Sequence, residues 1–325
     1  MKNLKQLFGT LLLTLIAFTS CETSDDSDII SVFEAPSAQE FASIREQALE
    51  NHTQTFQFDG EDGNITLTST NGVQININTN CLTLNGNAVT GTVDLEYVEL
   101  FNKGNMLTTN KPTLGSLPNG DKALLISGGE FFVEATQNGT ALNTNCGLQL
   151  AVPAGLTGGP DAAMTLWEGN IDADDTLTWD EVEDATGQGG VFVEGSIYYS
   201  ILDGFGWSNI DRFYSDPRPK TQIQVQAPVG YNYTNSAVYL SYDGEDLGLA
   251  QLDTYDGDLN LFSEHYGQIP IGLECHIIFV TVEDGNWKYA VKPVTIEADD
   301  IITFTLAETT DGTEAGLTAV INALP

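Results

Sequence analysis

From Thr53 onward apolar and polar residues alternate with a period of two. The segments ITLT (65–68), VQINI (73–77) and VDLEY (93–97) show it most cleanly. Alternation of this kind sets one face of a strand on a core and the other in water. FFVEA (131–135) and LQLAV (148–152) continue the series, and TLW (165–167) with TLTW (176–179) reads as a hairpin. Further strands are expected at 196–201, 222–226, 237–242, 275–282 and 287–291. Asn-Gly at Asn71, Asn85, Asn119 and Asn138, and Asp-Gly at Asp59, Asp62, Asp203, Asp243, Asp256, Asp284 and Asp311, separate the runs. These pairs tolerate the positive φ of tight hairpin turns. Many short strands with such punctuation predict an all-β chain of two β-sandwich-like domains.

One segment breaks the period. Between residues 37 and 50, Phe41, Ile44 and Ala48 recur at helical spacing, and Ser37 with Glu40 has the form of a capping box. The first β-sandwich is expected over 53–169, a hairpin and polar, Gly-rich linker over 170–190, the second over 191–306, and a tail over 307–325.

The start of the chain has a different pattern. Lys2 and Lys5 precede an apolar run at 7–18, and no acid occurs before Glu22. The run has the length of a signal-peptide core and is too short to span a membrane. Thr19 and Ser20 then lead to Cys21. Residues 1–20 resemble a bacterial lipoprotein signal, which implies acylation of Cys21, although Phe18 stands where such signals usually carry Leu. The alternative is an ordinary signal peptide with an incidental cysteine. Residues 21–36 read as an acidic tether. Glu22, Asp25, Asp26 and Asp28 resemble the signal that sends lipoproteins of Bacteroidota to the outer face of the outer membrane. A plain solvated linker is the alternative. The expected place is therefore the cell surface, held to the outer membrane by lipid.

Charge narrows the partners. With Lys2 and Lys5 removed, nine cations face 46 acids, a net charge of −37. Nucleic acid is excluded, because binding it needs Lys and Arg to neutralise phosphates. Lipid must supply the membrane attachment, since an anionic surface repels the chain.

Cys81, Cys146 and Cys275 are left after Cys21, an odd number for an oxidising compartment. The repeated string NTNC, at 78–81 and 143–146, suggests a Cys81–Cys146 disulfide. Three buried thiols are the alternative, and the one favoured here.

Two further stretches, GTVDLEYVELFNKGNML (91–107) and GGEFFVEATQNGTAL (128–142), resemble an uncharacterised family of Bacteroidota surface lipoproteins. GWSNIDRFY (206–214) and IPIG (269–272) are similar to it as well. The resemblance implies a first module distantly like the β-sandwich of ankyrins and netrin receptors. It implies no catalytic residues.

Candidate chemistry is sparse. No G-x-S-x-G elbow, P-loop or H-E-x-x-H occurs, and His52, His265 and His276 are far apart. Ser127 beside Gly128 and Gly129 reads as a turn or bulge. Asn170, Asp172, Asp174 and Glu181 are spaced like the oxygen ligands of a calcium loop, making calcium the one cofactor suggested. Asp175 replaces the needed glycine and no helices flank the loop, which favours a polar hairpin tip. Trp207, Asn209, Asp211, Arg212 and Tyr214 join scarce cationic charge to aromatic rings, a pattern suited to a sugar or peptide. The competing reading is an Asp211–Arg212 pair locking a loop. The chain is thus expected to be a non-enzymatic binding or accessory module for a glycan or surface protein. A structural subunit of a surface assembly is the alternative, ahead of a secreted hydrolase.

Overall fold

The structure, a computed structural model, describes residues 34–171, 177–183 and 190–325. Residues 1–33, with Cys21 and the acidic tether, lie outside the described residues.

The helix Ala38–His52 forms as its sequence predicts. The Ser37 hydroxyl accepts from the Glu40 N–H at 3.2 Å, and the Glu40 carboxylate accepts from the Ser37 N–H at 2.8 Å. Its apolar stripe buries Phe41 and Ala48.

The fold is all-β, with β-sandwich-like layers. The first sheet places Gln54–Asp59, Thr92–Leu100, Lys122–Gln137, Gly206–Phe213, Thr165–Ile171, Leu177–Glu181 and Leu114–Ser116 side by side. A second sheet runs Val191–Glu194, Ile197–Leu202, Leu148–Pro153, Gln74–Asn78 and Asn64–Thr68. Ile75, Tyr97, Phe131, Val133, Leu150 and Tyr198 are fully buried in the core that joins them. Turn chemistry holds at the hairpin ends: Asn138 and Gly139 both have positive φ, 51° and 74°.

The far end of the first sheet closes on itself. Leu114–Ser116 pairs with Leu177–Glu181 on one side and with Lys122–Gln137 on the other. Five strands thereby form a small barrel filled by Leu125, Trp167, Leu177 and Trp179. Gly169 makes room for this filling, since a Cβ there would lie 2.6 Å from the Trp207 Cβ.

The second sandwich begins at Lys220. One sheet holds Thr254–Asp256, Leu261–Pro270, Lys220–Gln226 and Ile301–Thr303. The other holds Ala250–Gln251, Ser236–Tyr242, Glu274–Glu283, Asn286–Thr295 and Thr310–Gly312. Ser236–Tyr242 is buried along its whole length, because the helices cover the outer face of its sheet.

Three expectations are corrected. The domain boundary at 190/191 does not hold, because Val191–Glu194, Ile197–Leu202 and Gly206–Phe213 complete the first sandwich. Polar, Gly-rich composition does not by itself mark a boundary between domains. The crossover lies instead at Pro217 and Pro219, just before Lys220. Residues 307–325 are not a loose tail. They contribute the strand Thr310–Gly312 and the helix Glu314–Asn322, whose Leu317 and Ile321 are fully buried. Cys81 and Cys146 form a disulfide, with Cα atoms 5.8 Å apart, against the favoured reading of free thiols. The odd cysteine is Cys275, a buried thiol that burial pushes up to about 12.

Candidate functional site

The five residues expected to gather around Trp207 do not converge. They lie on and just beyond the strand Gly206–Phe213, whose alternation sends neighbours to opposite faces. Trp207, Asn209 and Asp211 belong to the face that closes over the barrel. The Trp207 ring lies 5.3 Å from Phe132 and 6.5 Å from Trp179, centroid to centroid. Asn209 and Asp211 are fully buried. A bulge explains the company they keep. Asn209 pairs with Glu130 but Asp211 pairs with Ser127, so the partner strand carries an extra residue at Gly128–Gly129. Gly129 has φ +126°, and a Cβ there would meet the Phe101 ring at 2.6 Å.

The extra residue resets the phase, so Ser127 and Glu130, three apart, are the register partners of Asp211 and Asn209. The Ser127 hydroxyl donates to Asn209 Oδ1 at 2.9 Å, and Asn209 Nδ2 donates to Asp211 Oδ2 at 2.6 Å. Burial pushes the Asp211 and Glu130 carboxyls well above the usual carboxylate range. For Glu130, nearby Asp211 adds to the rise and Lys111 opposes it.

Arg212 points elsewhere, and its partner is not Asp211. Its Nε donates to Asp161 Oδ2 at 2.7 Å in a pair open to solvent. Tyr214 donates to Asp216 and meets Tyr242 edge-on at 5.2 Å. The hollow bordered by Gly206 and Trp207 measures about 180 Å³.

The calcium set is not assembled either. Asp172 and Asp174 lie outside the described residues. Asn170 pairs across the hairpin with Thr178, whereas Glu181 pairs with Trp167, three residues further from the tip. At about 3.3 Å per residue this separates them by roughly 10 Å. Calcium ligands must lie about 2.3–2.6 Å from the ion. Asn170 Nδ2 instead donates to Asp180 Oδ2 at 2.7 Å. Among the described residues no group of three or more His, Cys, Asp and Glu can hold a metal ion.

A concavity larger than the hollow beside Trp207, and richer in convergent polar and aromatic groups, lies elsewhere. A cleft of about 400 Å³ opens where the helix Ala38–His52 and the strand Lys122–Gln137 meet the second sandwich. Its polar wall carries Arg45, Asn110, Lys122, Gln251 and Asp253. Lys122 Nζ and Asp253 Oδ2 form an ion pair at 2.7 Å, and the Tyr266 hydroxyl donates to the same oxygen at 2.9 Å. Its aromatic wall is a ladder. Tyr233 and Tyr255 have ring centroids 5.7 Å apart, and Tyr255 and Phe262 5.0 Å apart. Tyr233 is 58% exposed, unusual for a tyrosine packed against another ring. Arg45 Nε, Gln251 Oε1 and Asp253 Oδ1 are enclosed and lack hydrogen-bond partners. Behind the cleft, burial pushes the Glu264 carboxyl up to about 7, with the backbone N–H groups of Gln268 and Gly267 opposing the rise.

None of these wall residues stands out in the sequence, because they are scattered from Arg45 to Phe262. One signal was present. Arg45 lies four residues after Phe41, on the edge of the helix's apolar stripe, where a cation needs a reason to be. No family model matches the chain, and no curated protein matches it.

Proposed function

We propose that the chain is a non-enzymatic cell-surface lipoprotein that binds an extracellular glycan in the cleft between the helix and the second sandwich. The observation carrying this reading is the cleft itself. An exposed Tyr233 ring, backed by Tyr255, faces a wall of polar groups, the combination that stacks on a sugar ring and directs hydrogen bonds to its hydroxyls. The place at the cell surface rests on residues 1–28 and on the resemblance to Bacteroidota surface lipoproteins. Among the described residues no helix is long and apolar enough to cross a membrane. Mass spectrometry of the native N-terminus is expected to show acyl chains on Cys21, and an unmodified start elsewhere refutes the anchor.

Calorimetric titration against a panel of plant, host and microbial oligosaccharides tests the binding. Tyr233→Ala and Tyr255→Ala are expected to weaken it about tenfold each, as the loss of an aromatic face of about 1.4 kcal/mol does. An absence of heat across the panel discards the reading. The scaffold alternative has one observation of its own: Phe192 and Val193 are exposed on Val191–Glu194, the edge strand of the second sheet. Exposed apolar strand edges invite pairing with another chain. A concentration-dependent mass in light scattering that Phe192→Lys abolishes would favour it.

A further inference from the structure

Arg45 differs from the chain's other two arginines. Arg212 and Arg218 each hold an aspartate, Asp161 and Asp216. Among the described residues no carboxylate pairs with Arg45, in a chain carrying 46 acids. The guanidinium is nevertheless fixed. Its Cζ lies 4.0 Å from the centroid of the Phe41 ring, and Nη2 donates to the Tyr239 hydroxyl at 3.1 Å. That hydroxyl donates to Asn110 Oδ1 at 2.6 Å. A half-buried guanidinium oriented by neutral groups alone is poised for an anion. Lys122 does not compete for that anion, because Asp253 neutralises it.

The rest of the cleft narrows the anion's chemistry. Gln251 and Asp253 line the cleft with polar side chains, which suits a ligand carrying hydroxyls. The exposed ring of Tyr233, inclined at 45° to Tyr255, supplies an aromatic face for a sugar ring. We propose that the cleft takes a uronic-acid residue of a glycan. The sugar carboxylate meets Arg45, the pyranose face lies on Tyr233, and the hydroxyls meet the polar lining that Gln251 and Asp253 help to form. This rests on the glycan-binding reading and adds the sign of the ligand's charge. The protein's own charge adds a second limit. A densely charged polyuronate is repelled by so acidic a surface, so the preferred chain spaces its uronates with neutral sugars.

The test titrates hyaluronan hexasaccharide, a glucuronoxylan-derived aldopentaouronic acid and tetragalacturonate, each beside its carboxyl-reduced form. Binding of one of the first two, weakened about tenfold or more by carboxyl reduction and by Arg45→Gln, supports the inference. Arg45→Lys keeps the charge without the fork and is expected to bind between wild type and Arg45→Gln. It also provides a readout should Arg45→Gln fold poorly. Equal binding of the charged and reduced forms, or binding indifferent to Arg45, overturns the uronate inference while glycan binding stands. Failure to bind any charged or neutral sugar overturns both. Preference for a tripeptide with a free C-terminal carboxylate, lost on amidation, overturns it in favour of a peptide ligand.

Discussion

Asp211 and Arg212 are chain neighbours whose side chains part at the pleat of one strand, and their substitutions are expected to differ accordingly. Arg212→Ala removes a solvent-open pair with Asp161 and should cost under about 1 kcal/mol. Asp211→Ala leaves the buried Asn209 amide without its acceptor and should cost about 1–3 kcal/mol. Denaturant melts of the two variants beside wild type check the order, and a larger loss at Arg212 contradicts it. Glu264 adds a pH dependence. Its carboxyl titrates at about 7 in the folded chain against an ordinary 4.5, so the folded state holds the proton more tightly. The resulting stability is complete below about pH 4.5 and is lost as pH rises through about 7, a change of roughly 3 kcal/mol. The buried carboxyls of Asp211 and Glu130 act in the same sense. Wild type should therefore melt lower at pH 8 than at pH 5, and Glu264→Gln should flatten part of that slope. An unchanged slope in the variant removes Glu264 from the explanation.

Single elements were legible where their signals were local. Ser37 and Glu40 announced the first helix, and the alternating runs announced most strands. The helix Glu314–Asn322 was missed although Thr313 caps it and Leu317 and Ile321 recur at helical spacing. What no local pattern contains is pairing. Nothing in GWSNIDRFY says that it will lie between Lys122–Gln137 and Thr165–Ile171. The barrel, and with it the burial of Asp211, follows from that placement. The cleft was hidden for the same reason, since Arg45, Lys122 and Tyr255 meet only after both sandwiches have formed. The disulfide is the one long-range contact that a repeated string, NTNC, hinted at. It closes a loop with a sequence separation of 65, for which loss of a cross-link costs about 2–4 kcal/mol. A Cys81→Ser, Cys146→Ser double variant should melt correspondingly earlier, while Cys275→Ser should leave the cross-link intact. A double variant as stable as wild type would show that the bond contributes nothing.

At the scale of the whole molecule the two sandwiches are not independent. Leu124 and Ile126 enter the second core while Phe131 and Val133, on the same strand Lys122–Gln137, enter the first. The closing elements come late in the chain: Gly206–Phe213 for the first sheet, and Glu314–Asn322 for the face that also carries Met106 and Leu107. Delivery of the polypeptide from its N-terminus therefore finishes neither half before Phe213. A fragment ending after Gly204 lacks the strand that joins Lys122–Gln137 to Thr165–Ile171, and is expected to show no cooperative melt. A fragment that did melt cooperatively would contradict this. On the proposed reading of residues 1–20 as a leader, such late closure is an advantage. A polypeptide being translocated would then stay threadable at least until Gly206–Phe213 had crossed, and the helix-covered face of the second sandwich would close only with Glu314–Asn322, so the topology itself would postpone the moment at which the chain becomes too bulky to pass.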